Sequence, residues 1–195
     1  MKTLHIIPLV AALAAFSLDA HAAPKTYIID SEHTYPSIET DHFGGLSVWR
    51  GKFNKTTGKI TLDHEAKIGT IETVIDTNSV DFGNDALNEH IRAADMLDSK
   101  QFPQATYKGT FAKFNGDVPI EISGELTLRG ITKPLTLTIK SFKCMPNHPM
   151  HKKEVCGADA YAVFNRGDFG VNYGLDKGFF GEVRVQIQVE AIIQQ

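Results

Sequence analysis

The residues best suited to chemistry gather in one short stretch. "CMPNHPMHKKEVC", residues 144 to 156, sets Met145, His148, Met150 and His151 between two cysteines. Thioether and imidazole groups together are soft ligands of the kind that hold copper(I). Their spacing is sparser than strong metal sites show, and the competing description is a solvated hairpin tip stiffened by Pro146 and Pro149. Cys144 and Cys156 are the only cysteines of the chain, and in an oxidising compartment they are expected to form one bridge. On the chain-entropy account that bridge contributes about 3 kcal/mol.

Elsewhere the patterns of catalysis fail. No G-x-G-x-x-G follows a strand-like run, and no G-x-x-x-x-G-K-[ST] occurs. Ser47 in "GGLSVWRG" lacks the flanking glycines of a nucleophile elbow, and His64-Glu65 lacks the second histidine of H-E-x-x-H. The carboxylates are scattered over strand-like segments, where a solvated charge is the ordinary outcome. Nothing here argues for an enzyme. The net charge of −3 argues against nucleic acid and against electrostatic adhesion to anionic membranes, because both normally need a concentrated basic face.

Aromatic residues are more informative. Trp49, Phe53, Tyr107, Phe111, Phe164, Phe169, Tyr173, Phe179 and Phe180 are spread over different segments, as expected of side chains that converge on one interior. They either fill a core or line a cavity, and the elements that carry them decide which.

Those elements read as strands. In "EVRVQIQVEAII", Val183, Val185, Ile187, Val189, Ala191 and Ile193 alternate with polar residues, so one face is dry and the other wet. Its twelve positions span about 40 Å at ~3.3 Å per residue, a length suited to a tall barrel. Similar runs at "TYIID", "YPSIETDHF", "SVWRGKF", "GKITLD", "IGTIETVIDT", "ATYKGTFAKF", "IEISGELTLRG", "PLTLTIKSF" and "DAYAVFN" bring the expected total to roughly eight to ten strands. Turn chemistry falls at Thr57-Gly58, Asn115-Gly116-Asp117 and Gly130 to Pro134. The fold class is all-β, an antiparallel barrel of about eight strands whose closure removes exposed edges.

One interruption stands between Asp76 and Ala105. Asn84 or Asp85 caps an expected helix carrying Leu87, Ile91 and Ala94, and Asp95 opens a second short turn that Pro103 ends. One or two short helices therefore cap the barrel. The apolar residues Leu87, Ile91, Met96, Leu97 and Phe102 form a lid, with the flexible thioether of Met96 suited to an irregular surface beneath.

At the front, Lys2, an apolar stretch from Leu4 to Leu18 and Ala20-His21-Ala22 follow the order of a signal peptide. Residues 1–22 are expected to be that leader, with 23–195 forming one domain in the periplasm.

The chain resembles the YceI-like family of exported, lipocalin-like polyisoprenoid-binding proteins. "YIIDSEHT", "AADMLDSKQFPQATY", "GELTLRGITKPLTL" and "FNRGDFGVNYG" carry the resemblance in that order across about Tyr27 to Ile193, and "CGADA" is similar to a subgroup with a cysteine-containing loop. The resemblance implies a barrel around a long apolar tunnel holding the tail of a polyprenyl or quinone-type lipid, with no covalent cofactor. Kinship with domains attached to b-type cytochromes points towards quinone, although no local residue selects it. A homodimer and a membrane-associated donor or acceptor are the other implied partners. The family-like segments also place His33, His42, Arg166 and Asp168 where they could meet a lipid head group.

Overall fold

The computed structural model describes residues 23–194, so the expected leader lies outside the described residues. Eleven strands alternate with little else: β1 (Lys25–Ile29), β2 (Tyr35–His42), β3 (Ser47–Phe53), β4 (Thr56–Asp63), β5 (Ile68–Asp76), β6 (Val80–Asp81), β7 (Gln104–Asn115), β8 (Val118–Leu128), β9 (Ile131–Met145), β10 (Val155–Asn165) and β11 (Glu182–Ile193). All pairings are antiparallel. Eight strands close the ring in the order β1-β4-β5-β7-β8-β9-β10-β11, with β11 returning to β1. The short strands β2, β3 and β6 continue the wall beyond β1, β4 and β5, so β11 pairs first with β2 and then with β1. The closed ring has no free edge, while β3 outside it meets β6 only at Lys52 and Phe53.

Alternation in the sequence becomes an inside and an outside. Along β11, Val183, Val185, Ile187, Val189 and Ala191 face the interior, as their spacing predicts. The two core clusters lie at different heights. One, including Ile91, Leu97, Leu126, Leu128 and Phe169, lies towards one end, and the other, Tyr27, Ile29, Leu62, Cys156 and Ala191, towards the opposite end. Ile60, Phe111 and Phe142 pack against both.

The expected turn at Asn115-Gly116-Asp117 is present, with Gly116 at φ 60°. Thr57-Gly58 is not a turn: both residues lie inside β4, paired with Val74 and Thr73. A Cβ on Gly58 would stand 2.2 Å from the Glu72 carbonyl oxygen, so here glycine permits close strand approach. The β8–β9 turn is confined to Arg129 and Gly130, both at positive φ, and Ile131 to Pro134 already belong to the ladder.

Between β6 and β7 stands one α-helix, α1 (Asp85–Arg92). Asn84 caps it, its side chain accepting the Leu87 N–H at 2.9 Å. The expected second helical turn is instead an irregular crossing. Leu97 N–H returns to the Ile91 carbonyl and Ser99 N–H to that of Arg92, while Asp98 adopts φ 48°. These reverse bonds satisfy the free carbonyls of the α1 terminus and pull residues 93–102 over the barrel end. Among the described residues no helix is long and apolar enough to cross a membrane.

Candidate functional site

The barrel is not filled. A cavity of about 210 Å³ runs through it, bounded by residues from every barrel strand. It reaches from Ile91, Met96, Leu97 and Leu128 at the lid end to Tyr27, Leu62 and Cys156 at the other. From Val183 to Ala191 it follows about 26 Å of β11. Apolar cavities of about 150 Å³ already stay dry and take up benzene-sized molecules, so this space suits an apolar guest.

Backbone geometry shapes the wall. Gly124 on β8 faces Gly109 on β7, and a Cβ at Gly124 would lie 2.6 Å from the Tyr107 ring. Without that Cβ the ring lies across the strand, and its hydroxyl donates to the Leu135 carbonyl at 2.9 Å. Tyr107 thereby presents carbon to the cavity, and burial pushes its phenol above the ordinary range. Tyr27 behaves likewise: burial raises it, and its hydroxyl donates to Glu154. Thr34 uses its hydroxyl on the backbone of Glu190. The Thr56 hydroxyl, buried against the cavity, has no partner among the described residues.

The aromatic and lid residues named from the sequence separate into two groups. Phe53, Ile91, Met96, Leu97, Tyr107, Phe111 and Phe164 line the cavity. Leu87 packs behind that layer, and Phe169, 2% exposed, stacks edge-on against Phe164 at 5.2 Å. Phe102 rests against Gly130. The rest lie off the wall: Trp49 and Phe179 flank His42 at ring distances of 5.3 and 5.8 Å, Tyr173 meets His90 at 4.6 Å, and Phe180 is exposed.

Of the four head-group residues, Arg166 alone lines the cavity. His33 is exposed, with Nδ1 bonded to Asp30 at 2.8 Å; that bond, then the carboxylate charge, raises its pKa. His42 belongs to the outer aromatic group, and Asp168 is exposed and makes no ion pair with Arg166. Most of the cavity wall is aliphatic: Ile38, Ile60, Ile71, Leu126, Leu137 and Ile139 were not singled out from the sequence, although each sits on the apolar phase of a strand.

The Cys144–Cys156 bridge is formed, joining directly opposed residues of β9 and β10. In the loop beyond, His148 and His151 have ring centroids 5.0 Å apart, and Met145 and Met150 point outwards, Met150 at 82% exposure. The described His, Cys, Asp and Glu groups close enough to share an ion are Cys144, Glu154 and Cys156. Two of those three ligand atoms are tied up in the disulfide, which removes the thiolates a soft metal needs.

A family model described as a YceI-like domain matches residues 27–191, nearly the whole described barrel. The chain belongs to the YceI-like family. A UPF0312 protein of Pseudomonas paraeruginosa is 33% identical over 176 residues, covering 89% of this chain and 90% of that protein. Protein YceI of Salmonella arizonae is 33% identical over 177 residues, with the same coverage. Among solved structures, BcnA of Burkholderia cenocepacia superimposes with a TM-score of 0.63 at 21% identity, over 80% of this chain and 95% of that one. A polyisoprenoid binding domain from Saccharophagus degradans gives 0.60 at 14% identity, over 86% and 98%. The YceI-like barrel is thus shared by sequences that differ at most positions.

Proposed function

We propose that this protein holds an isoprenoid lipid, polyprenyl or quinone-type, inside the barrel and stores or carries it in the periplasm. The observation that carries the reading is the apolar cavity that runs along the barrel and is lined by members of both core clusters. A protein built only for stability would bring those inward side chains into contact, because unfilled space costs packing energy. Each CH₂ group withdrawn from water contributes about 0.8 kcal/mol, so ten such groups give roughly 8 kcal/mol before ordering costs. Affinity therefore needs few polar contacts.

The name of the Saccharophagus relative, a polyisoprenoid binding domain, supports the lipid class. Among the described residues, the cavity wall is built almost wholly of apolar side chains and sets no nucleophile beside a base, which supports a binding role over catalysis. The leader-like residues 1–22 support export. Organic extraction of protein purified from its periplasmic fraction, followed by mass spectrometry, is expected to yield about one isoprenoid lipid per chain. A lipid-free extract from protein never exposed to detergent would defeat the reading.

A further inference from the structure

Among the described residues, Arg166 is the single charged one lining the cavity. It opens the 3-10 turn Arg166–Phe169 between β10 and β11, and only 7% of its surface is exposed. One guanidinium N–H, on Nη1, donates to the Val171 carbonyl at 2.8 Å. A guanidinium carries five N–H donors and stays charged at physiological pH. Among the described residues it makes no other side-chain hydrogen bond and no ion pair.

Asp41 is the carboxylate whose charge acts on Arg166, yet its oxygens are committed elsewhere. They accept the backbone N–H groups of Gly44, Gly45 and Phe180 at 2.8, 2.5 and 2.9 Å, stitching the β2–β3 hairpin to the β10–β11 segment. A positive charge with spare donors thus borders an otherwise apolar space, where an unpaired ion is costly. A ligand oxyanion would remove that cost. A carboxylate matches the guanidinium fork with two parallel hydrogen bonds.

Resting on the carrier reading for the isoprenoid tail and replacing its polyprenyl or quinone head, we infer that the cavity selects an isoprenoid amphiphile whose head bears one negative charge, a carboxylate, held by Arg166 at the lid end with the tail directed towards Tyr27 and Cys156. Among the described residues no second cation lines the wall, so a diphosphate brings more charge than the site offsets. An alcohol satisfies an N–H and leaves the charge unpaired. An ammonium head is repelled.

The test holds the isoprenoid chain constant and varies the head. Farnesoate, farnesol, farnesylamine and farnesyl diphosphate are each titrated against the full mature chain by displacement of an apolar fluorophore at about pH 7.5, where a carboxylate is ionised. Farnesoate is expected to bind at least tenfold more tightly than farnesol and than the diphosphate, with farnesylamine weakest. In Arg166→Gln the acid and alcohol should bind within about threefold of each other, the alcohol keeping its original affinity, while Arg166→Lys retains part of the preference.

Equal wild-type affinity for acid and alcohol overturns the inference and leaves the carrier reading standing. A preference that survives in Arg166→Gln, or diphosphate binding as tight as farnesoate, also overturns it. If none of the four ligands binds, both readings fall. A purely structural Arg166 would lower the stability of Arg166→Gln without changing the acid-to-alcohol ratio. Should that variant not fold, the wild-type head series decides alone.

Discussion

The two ends of the barrel are closed by different means. At the disulfide end the wall is tied through side chains: Cys144 is bonded to Cys156, and Glu154 takes hydrogen bonds from Tyr27 and from Lys25 at 3.0 Å. At the lid end closure depends on hydrogen bonds to backbone carbonyls. Residues 93–102 hang from α1 by Leu97 and Ser99 N–H bonds, and the Arg129 guanidinium crosses from the β8–β9 turn to the carbonyls of Ala94 and Met96. Exposed Phe43, Leu46 and Phe180 surround the same end. Segments held by a few surface hydrogen bonds open locally before the fold opens globally. On the proposed carrier reading, this contrast makes the lid end the expected route of guest entry and the disulfide end the permanent closure.

The largest expected effect lies at the permanent end. Replacing both cysteines with serine should lower stability by about 3 kcal/mol, read as a shift in the urea unfolding midpoint. Hydrogen exchange of the 85–102 amides under native conditions should hardly change. If those amides accelerate as much as the β9–β10 amides do, the ends are one cooperative unit and the distinction is lost.

At the lid, Met96→Asp puts a carboxylate against an apolar wall. Retention of a neutral guest such as farnesol should fall at least tenfold, equivalent to about 1.4 kcal/mol. The stability of the emptied protein should fall by less. Equal losses in both measurements would describe a plug packed into the barrel and not a lid over a guest.

A finer test concerns how α1 is anchored. Asn88 is buried, its side-chain oxygen accepting the Phe82 N–H at 2.7 Å and its amide donating to Asp81 at 3.1 Å. Asn88→Ala strands the Phe82 N–H and should cost about 1–2 kcal/mol of local stability. Faster guest release, followed by stopped-flow transfer to an acceptor vesicle, is expected together with faster lid exchange. Unchanged release would move the entry point away from this end.

The strands were legible because their chemistry is periodic: the alternation in β11 gives its inward face directly, and the cysteine pair fell on opposed positions of neighbouring strands. The lid was legible as a helix but not as a crossing, since its path is set by Leu97 and Ser99 returning to α1, contacts that no residue spacing encodes. Aromatics drew attention to the interior, yet Tyr173, Phe179 and Phe180 lie off the cavity because loop aromatics carry no period that fixes their facing, and Trp49, four residues along β3 from the cavity-lining Phe53, packs against His42 near the hairpin end. Arg166 and Asp168 looked alike in "FNRGDFG". Burial of one and exposure of the other follow from a single 3-10 turn.

The smallest expected effect returns to the disulfide end and concerns pH. Burial pulls the Glu154 carboxyl upwards, but the hydrogen bonds from Tyr27 and Lys25 and the Lys25 charge outweigh it, leaving its pKa below the ordinary value. In the unfolded chain the group titrates near the usual glutamate value of about 4.3. Because the folded pKa is the lower of the two, the contribution is complete above the unfolded value and is lost as pH falls through the folded one. Urea midpoints measured from about pH 6 down to pH 3 should therefore decline more steeply in the wild type than in Glu154→Gln, which has no proton to gain. Parallel curves would mean that the Tyr27–Glu154–Lys25 contacts add nothing beyond the disulfide, and the contrast between the two ends would then rest on one covalent bond.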